Sequence, residues 1–132
     1  MGALAGWGIV GSMQLNGIHH ISCITGNARS NLDFYTRVLG LRLVRKTVNQ
    51  DDPYVYHLFY ADEEGSPGAD ITFFEYPGAV RGRAGSGMIH RIAFRVRDEA
   101  ALDFWRSRLE AEGREVAAMG AAGACARGLR LE

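Results

Sequence analysis

The side chains best suited to chemistry in this 132-residue chain are its imidazoles, and His19 and His20 stand side by side near the amino terminus. The surrounding residues 17–25 alternate in polarity and carry β-branched side chains, a pattern typical of a half-buried strand. Successive residues of a strand face opposite sides, so only one of the two histidines is expected to point into a given site. His20 would share its face with Ser22 and Ile24, and His19 would share the other with Ile21 and Cys23.

The carboxylate that could join His20 is Glu75, which follows Phe73 and Phe74 near the end of a later strand. An acidic side chain in a strand otherwise suited to burial is costly unless it is paired or bound to a cation. A neutral imidazole with a carboxylate suits a divalent transition metal, and two histidines with one carboxylate leave positions open on non-haem iron. The residue types therefore favour a divalent-metal site that a histidine of the first strand could share with Glu75. The alternative for Glu75 is a strand-end acid that reaches water.

An internal repeat defines the elements that must position these residues. Residues 18–25 (IHHISCIT) align with residues 89–96 (IHRIAFRV) at an offset of 71, and residues 32–35 (LDFY) align with residues 102–105 (LDFW) at an offset of 70. The chain is thus predicted to consist of two units of about 70 residues, each beginning with a strand and then a helix.

The first unit is predicted to be βαβββ. After the strand over residues 17–25, Asn27 can cap a helix that runs to about Leu39, and Gly40 stands where a left-handed residue ends a helix. Three strands follow over residues 41–48, 54–60 and 70–76, separated by turn-forming residues.

The second unit is predicted to be a shortened copy. A strand over 88–96 and a helix over Glu99–Glu112 repeat the first unit, but only a short strand over Arg114–Ala118 and an alternating stretch at 129–132 follow. The predicted division is a flexible extension over 1–15, a first module over 16–76, a linker over 77–87 and a truncated second module over 88–132.

Composition excludes several classes of protein. With 47% hydrophobic residues, and with 15 basic and 15 acidic side chains, the chain can bury a core and lacks the cationic excess of nucleic-acid-binding proteins. Its longest apolar runs are too short to span a membrane, and Met1–Ser12 lacks a signal peptide's basic region. Two cysteines, Cys23 and Cys125, make no disulfide framework. A cytoplasmic location is expected.

Several segments resemble the vicinal oxygen chelate superfamily, which includes glyoxalases, bleomycin-resistance proteins and extradiol dioxygenases. They are GIHHIS, NLDFYTRVLGLRLV and YHLFYADEEGSPGADITFFEYP. The stretch VNQDDPYVYHLFYADEEGSPG, followed by GMIHRIAF, resembles the amino-terminal half of two-domain ring-cleaving dioxygenases that act on hydroquinones. The resemblance covers about residues 16–113.

The resemblance implies an α+β fold in which paired βαβββ modules form a cup-shaped mixed sheet with helices on the outside, the second module being incomplete. Each module can offer a metal ligand from its first strand and another from its last, which places His20 and Glu75 in the first module. In the second module the same register puts Arg91, and not His90, at the ligand position. The implied metal is Fe(II) or Mn(II), or Zn or Ni in a glyoxalase-like enzyme.

The implied reaction is opening of a small hydroquinone- or catechol-like aromatic by dioxygen, and two residues are candidate catalytic groups. Ser22 could hydrogen-bond substrate or bound oxygen, although a serine in a sheet can also be merely accommodated. His57 shares a strand face with Val55 and Phe59 and could carry a proton, because imidazole titrates near neutral pH. The alternative for His57 is a structural, hydrogen-bonded role.

The resemblance also implies that this chain does not close the metal site alone, because in hydroquinone-cleaving relatives another module supplies the remaining ligands. We expect a homodimer to complete it, or else a fragment that binds metal weakly. Two other functions remain open. One is a metal-free ligand-binding module of the bleomycin-resistance kind, and the other is a glyoxalase-like lyase or isomerase. No nucleic acid and no membrane is expected as a partner.

Overall fold

The computed structural model describes residues 18–66, 68–83, 85–89, 91–119 and 128–131. The first unit is βαβββ, as predicted, and the fold class is α+β. Its strands are β1 (His20–Thr25), β2 (Arg42–Val48), β3 (Tyr56–Ala61) and β4 (Asp70–Glu75), and its helix is α1 (Ala28–Asp33), which continues into a π-helical segment over Phe34–Val38.

Local sequence sets both ends of this helical stretch. Asn27 has extended backbone angles, and its side chain accepts a hydrogen bond from the Ser30 backbone N–H at 2.9 Å. It thereby satisfies one of the N–H groups that a helix start leaves without a partner. Gly40 has a φ of +71°, which ends the helical stretch without the strain that a β-carbon would bring. Both predictions are confirmed.

The four strands form one mixed sheet in the order β1-β4-β3-β2. Strand β1 runs parallel to β4, with His20 opposite Asp70 and Ser22 opposite Thr72, whereas the other two pairings are antiparallel. Residues directly opposite each other in a ladder project from the same face. The register therefore decides which side chains can meet.

One face of the sheet carries the core. Leu58, Tyr60, Ile71 and Phe73 are buried there, and the Tyr35 ring of the π-helical segment packs on the Tyr60 and Phe73 rings, with centroids 5.2 and 4.7 Å away. The opposite face, here called the open face, presents His20, Ser22, Ile24, His57, Phe59, Asp70, Thr72 and Phe74.

The second unit contains helix α2 (Glu99–Ala111) and a two-stranded antiparallel sheet of β5 (Val116–Met119) and β6 (Gly128–Leu131). The predicted helix is confirmed, and both predicted short strands are present within two residues of their expected starts. The extension over 1–15, His90 and Glu132 lie outside the described residues.

The strand predicted over 88–96 is wrong for the described part of that segment. None of its described residues belongs to a strand. A strand needs a neighbour for its backbone N–H and C=O groups, and the four-stranded sheet ends at β1 and β2 without taking this segment as a partner. Ile92 nevertheless packs against the core of the first unit. Phe94, two residues further along the same side of the pattern, is 52% exposed, so the alternation predicts neither a strand nor a fully buried side here.

Helix α2 is joined to the first unit by Arg108. Its Nε donates to the backbone carbonyl of Val38 at 2.7 Å, and its Nη2 donates to the carbonyl of Arg37. These carbonyls belong to the end of a helical stretch, where backbone acceptors lack partners within the helix. Leu109, the next residue of α2, is buried.

Within the described residues, no helix combines the length and apolar character required to cross a bilayer.

Candidate functional site

His20 opens strand β1 with an exposed side chain on the open face. Its Nδ1 lies 2.9 Å from the Nδ1 of His19, and the two rings meet edge to face with centroids 5.2 Å apart. The two rings can meet because the strand begins at His20, so the alternation that would place His19 on the opposite face does not extend to it.

The contact between the two rings constrains their protons. Of two neutral imidazole nitrogens in hydrogen-bond contact, one donates and the other accepts. If His20 donates from Nδ1, its Nε2 keeps the lone pair that a metal requires. Metal-binding histidines commonly donate their second ring N–H to a neighbour in this way. The His19–His20 contact is therefore compatible with His20 as a ligand.

Glu75 lies elsewhere. It pairs with Thr25 at the far end of the β1–β4 ladder, five residues along from the His20–Asp70 pair. An odd number of steps along a strand reverses the face, so Glu75 projects toward the helix side. Its Oε1 accepts a hydrogen bond from the Ala28 backbone N–H at 2.6 Å. The structure thus does not bring His20 and Glu75 together, and the burial of this acid is explained by the helix that it caps.

The acid that the register does place beside His20 is Asp70, directly across the ladder on the open face. Sequence reasoning missed it, because Asp70 starts its strand next to a turn and resembles a turn residue. Only the pairing of β1 with β4 reveals the relationship.

Both candidate catalytic residues belong to one hydrogen-bonded chain on the open face. The Nε2 of His57 lies 3.0 Å from the Oγ1 of Thr72, and the Thr72 hydroxyl donates to the Oγ of Ser22 at 2.9 Å. Thr72 has an exposed fraction of 0%. Thr72 was not among the predicted site residues, although its alternation with Phe74 in DITFFEY placed it on one face with that ring.

The ring of His57 lies between two phenylalanines. Its centroid is 4.0 Å from that of Phe59 and 3.9 Å from that of Phe74. Partial burial lowers the pKa of His57 below its ordinary value, and the charge of His20 lowers it further. Both effects favour the neutral imidazole.

The donor set fits part of a metal site. Among the described residues, no group of three or more His, Cys, Asp and Glu side chains is close enough to hold an ion together. His20 offers an exposed imidazole, and Asp70 offers an oxygen donor on the same face. Such a half-site suits a divalent ion whose other ligands come from another polypeptide segment.

Comparison with known proteins relates the chain to one superfamily. The family model described as Glyoxalase/Bleomycin resistance protein/Dioxygenase superfamily matches residues 17–124. MhqA of Bacillus subtilis (strain 168), assigned as a ring-cleaving dioxygenase, is 52% identical over 98 residues, which are 74% of this chain and 31% of that protein. The chlorohydroquinone/hydroquinone 1,2-dioxygenase of Sphingobium indicum is 35% identical over 98 residues, or 73% and 30% of the two chains. The chain thus spans about a third of the length of these curated relatives.

Solved structures agree with this relationship. The crystal structure of a protein from Bacillus subtilis subsp. subtilis str. 168, assigned as a dioxygenase, superposes with a TM-score of 0.79 at 41% identity, covering 88% of this chain and 36% of that one. The fosfomycin resistance protein FosX from Listeria monocytogenes gives a TM-score of 0.66 at 16% identity, covering 90% and 86%. At that identity the second likeness concerns the fold alone.

Proposed function

Because the chain belongs to the glyoxalase/bleomycin resistance protein/dioxygenase superfamily, we propose that it is the amino-terminal part of a metal-dependent ring-cleaving dioxygenase. The proposed substrates are a hydroquinone- or catechol-like aromatic and dioxygen. One relative named as a ring-cleaving dioxygenase and one named as a chlorohydroquinone/hydroquinone 1,2-dioxygenase each match about three quarters of the chain. The structural observation that carries the proposal is the exposed His20 imidazole on the open face, two residues from Ser22 on the same strand.

The proposed metal is Fe(II) or Mn(II), held in part by the Nε2 of His20. When bound, the metal supplies a Lewis-acidic centre to which a substrate oxygen and dioxygen can both bind. His19 holds the His20 ring in place through the contact between their Nδ1 atoms. Ser22 offers a hydroxyl that can orient a substrate oxygen. The neutral His57 imidazole, which is linked to Ser22 through Thr72, can hold a proton at the other end of this series of hydrogen bonds.

The remaining ligands are proposed to come from a second copy of this chain or from a polypeptide segment beyond it. A facial triad needs three ligands, and the open face offers the His20 imidazole and, across the ladder, the Asp70 carboxylate. The open face also carries apolar surface, since the Ile24 side chain is 64% exposed there. Phe59 and Phe74 lie on the same face as Ile24, and a contiguous apolar patch often marks an interface. A homodimer is therefore our preferred arrangement, and a cytoplasmic location stays a prediction.

Oxygen uptake tests the proposed reaction. The full chain is loaded with Fe(II) or Mn(II) and supplied with hydroquinone, chlorohydroquinone or catechol in an oxygen electrode. The proposal predicts dioxygen consumption matched by loss of the aromatic ultraviolet absorption, abolished in His20→Ala and retained in Glu75→Gln. A metal-loaded dimer that consumes no dioxygen with any of the three substrates contradicts it.

A second candidate function is a metal-free module that binds a planar ligand. It is favoured by the stack of Phe59, His57 and Phe74 rings on the open face. Fluorescence titration of chelator-treated protein with a planar aromatic tests it, because binding in this case survives metal removal and His20→Ala. Glyoxalase-like chemistry on Zn or Ni differs from both, since its activity needs no dioxygen.

A further inference from the structure

The most deeply buried polar side chain on the open face is that of Thr72, which has an exposed fraction of 0%. It stands on β4, between Ser22 on β1 and His57 on β3, and its hydroxyl contacts both. The two contacts measure 2.9 and 3.0 Å, so both are within normal hydrogen-bond range.

Counting hydrogens gives this chain of bonds a direction. A threonine hydroxyl carries one hydrogen, and with Thr72 as the donor to Ser22 that hydrogen lies between the two hydroxyls. The bond between Thr72 and His57 therefore needs its hydrogen from the imidazole, which places the proton of the neutral ring on Nε2 and leaves a lone pair on Nδ1. Ser22 accepts from Thr72, and its own hydroxyl hydrogen is free to point outward on the exposed side.

We propose that Thr72 is a positioning residue that fixes the direction of hydrogen donation, from His57 to Thr72 and from Thr72 to Ser22. Ser22 then presents its hydrogen, and not a lone pair, to a group that lies over the open face. The group recognised there is an acceptor oxygen. Under the proposed function, on which this identification rests, that oxygen is the ionised hydroxyl of a phenolic substrate. A phenolate is a better acceptor than a neutral phenol, because bonds to charged groups are stronger.

The neighbours of His57 and Thr72 keep the direction of these hydrogen bonds from reversing. The His57 ring is held between Phe59 and Phe74, with centroid separations of 4.0 and 3.9 Å, so it cannot readily swing to another partner. Thr72 is shielded from water, which would otherwise offer its hydroxyl an alternative acceptor. In such surroundings successive hydrogen bonds strengthen one another, and a buried group left unpaired is costly.

Imidazole nitrogen NMR tests the inference directly. The full chain, labelled with ¹⁵N in its histidines and freed of metal by a chelator, is studied at a pH where His57 is neutral, and the His57 signals are identified by their loss in His57→Asn. The expected result is a ring protonated at Nε2. In Ser22→Ala the Thr72 hydrogen loses its acceptor and can turn toward His57, so the tautomer ratio moves toward Nδ1–H. The control is Ser30→Ala, which alters an exposed serine outside the Ser22–Thr72–His57 hydrogen bonds and leaves the ratio unchanged.

A second pair of variants keeps the test independent of Ser22→Ala folding. Thr72→Ser retains a hydroxyl and the Nε2–H form, whereas the similarly shaped Thr72→Val removes the acceptor and speeds exchange of the imidazole hydrogen with water. A ring protonated at Nδ1 in the unaltered protein, or a tautomer ratio insensitive to Ser22→Ala, overturns the inference. Neither measurement needs metal or turnover, so failure of the dioxygenase proposal is seen separately in the oxygen-uptake experiment.

Discussion

The Oε1 atom of Glu75 accepts a hydrogen bond from the backbone N–H of Ala28 at 2.6 Å, which ties the last residue of β4 to the first residue of α1. Together with Asn27, which accepts from the Ser30 N–H, it satisfies two of the amides that the helix start leaves unpaired. A negative charge at a helix start is also favourable electrostatically. The acid thus has a structural role on the face of the sheet away from His20.

Removing this cap is expected to lower stability without touching the proposed metal site. Glu75→Ala should reduce the free energy of unfolding by about 1 kcal/mol, a typical value for loss of a side-chain cap. Glu75→Gln should lose less, because its amide oxygen can still accept. Urea unfolding measures both, with Glu64→Ala on an exposed turn as the control. A stability loss no larger than that of the control would refute the capping role.

The link between Arg108 and the end of the first helical stretch gives a second prediction. Arg108→Ala should lower the free energy of unfolding by about 1.5–3 kcal/mol, the range for hydrogen bonds made by a charged group. Arg106→Ala on the same helix is the matched control, since the Arg106 guanidinium makes no hydrogen bond or ion pair within the part of the chain described. Equal unfolding midpoints for the two variants would show that the Arg108 hydrogen bonds do not stabilise the contact between α2 and the first unit.

The lowered pKa of His57 gives a prediction of pH dependence. Burial, and then the charge of His20, disfavour the protonated ring in the folded state. The unfolded chain takes up this proton at the ordinary histidine pKa of about 6.5, and the folded chain only at lower pH. The contribution of His57 to the free energy of unfolding is therefore constant at pH values above the unfolded-state pKa of about 6.5. It declines as the pH falls from there toward the folded-state pKa.

Two measurements check this behaviour. In NMR titration the His57 signals should change at lower pH than those of a histidine in an unstructured peptide, and His20→Gln should move the change upward. In urea unfolding between pH 8 and pH 5, His57→Gln should lose less stability on acidification than the unaltered chain. A His57 that titrates at or above the ordinary value would contradict the burial argument.

Local signals predicted much of the first unit. The cap at Asn27, the stop at Gly40 and the alternation around Ser22 act over a few residues, so they can be read without knowing the tertiary structure. The shared face of His20 and Ser22, and the placement of His57 with Phe59, follow from the same alternation and are confirmed by the ladder register.

The remaining features depend on pairing between distant segments. The face and partner of Glu75 follow from the β1–β4 register, and Asp70 and Thr72 acquire their positions from the same pairing. The contact of His19 with His20 depends on where the strand begins, which alternation alone does not locate. The segment after residue 88 has the pattern of a strand but lacks a paired neighbour in the four-stranded sheet, and no local signal reveals that.

The central claim is that His20, and not Glu75, is this chain's contribution to a metal centre. Titration calorimetry with Mn(II), combined with the particle mass from light scattering, tests it on four samples of known dimer content: the unaltered chain, His20→Ala, Glu75→Ala and His57→Asn. The account predicts at least a tenfold loss of Mn(II) affinity in His20→Ala and an affinity within twofold of the original in Glu75→Ala and His57→Asn. Unchanged affinity in His20→Ala, or an equal loss in Glu75→Ala, would contradict it.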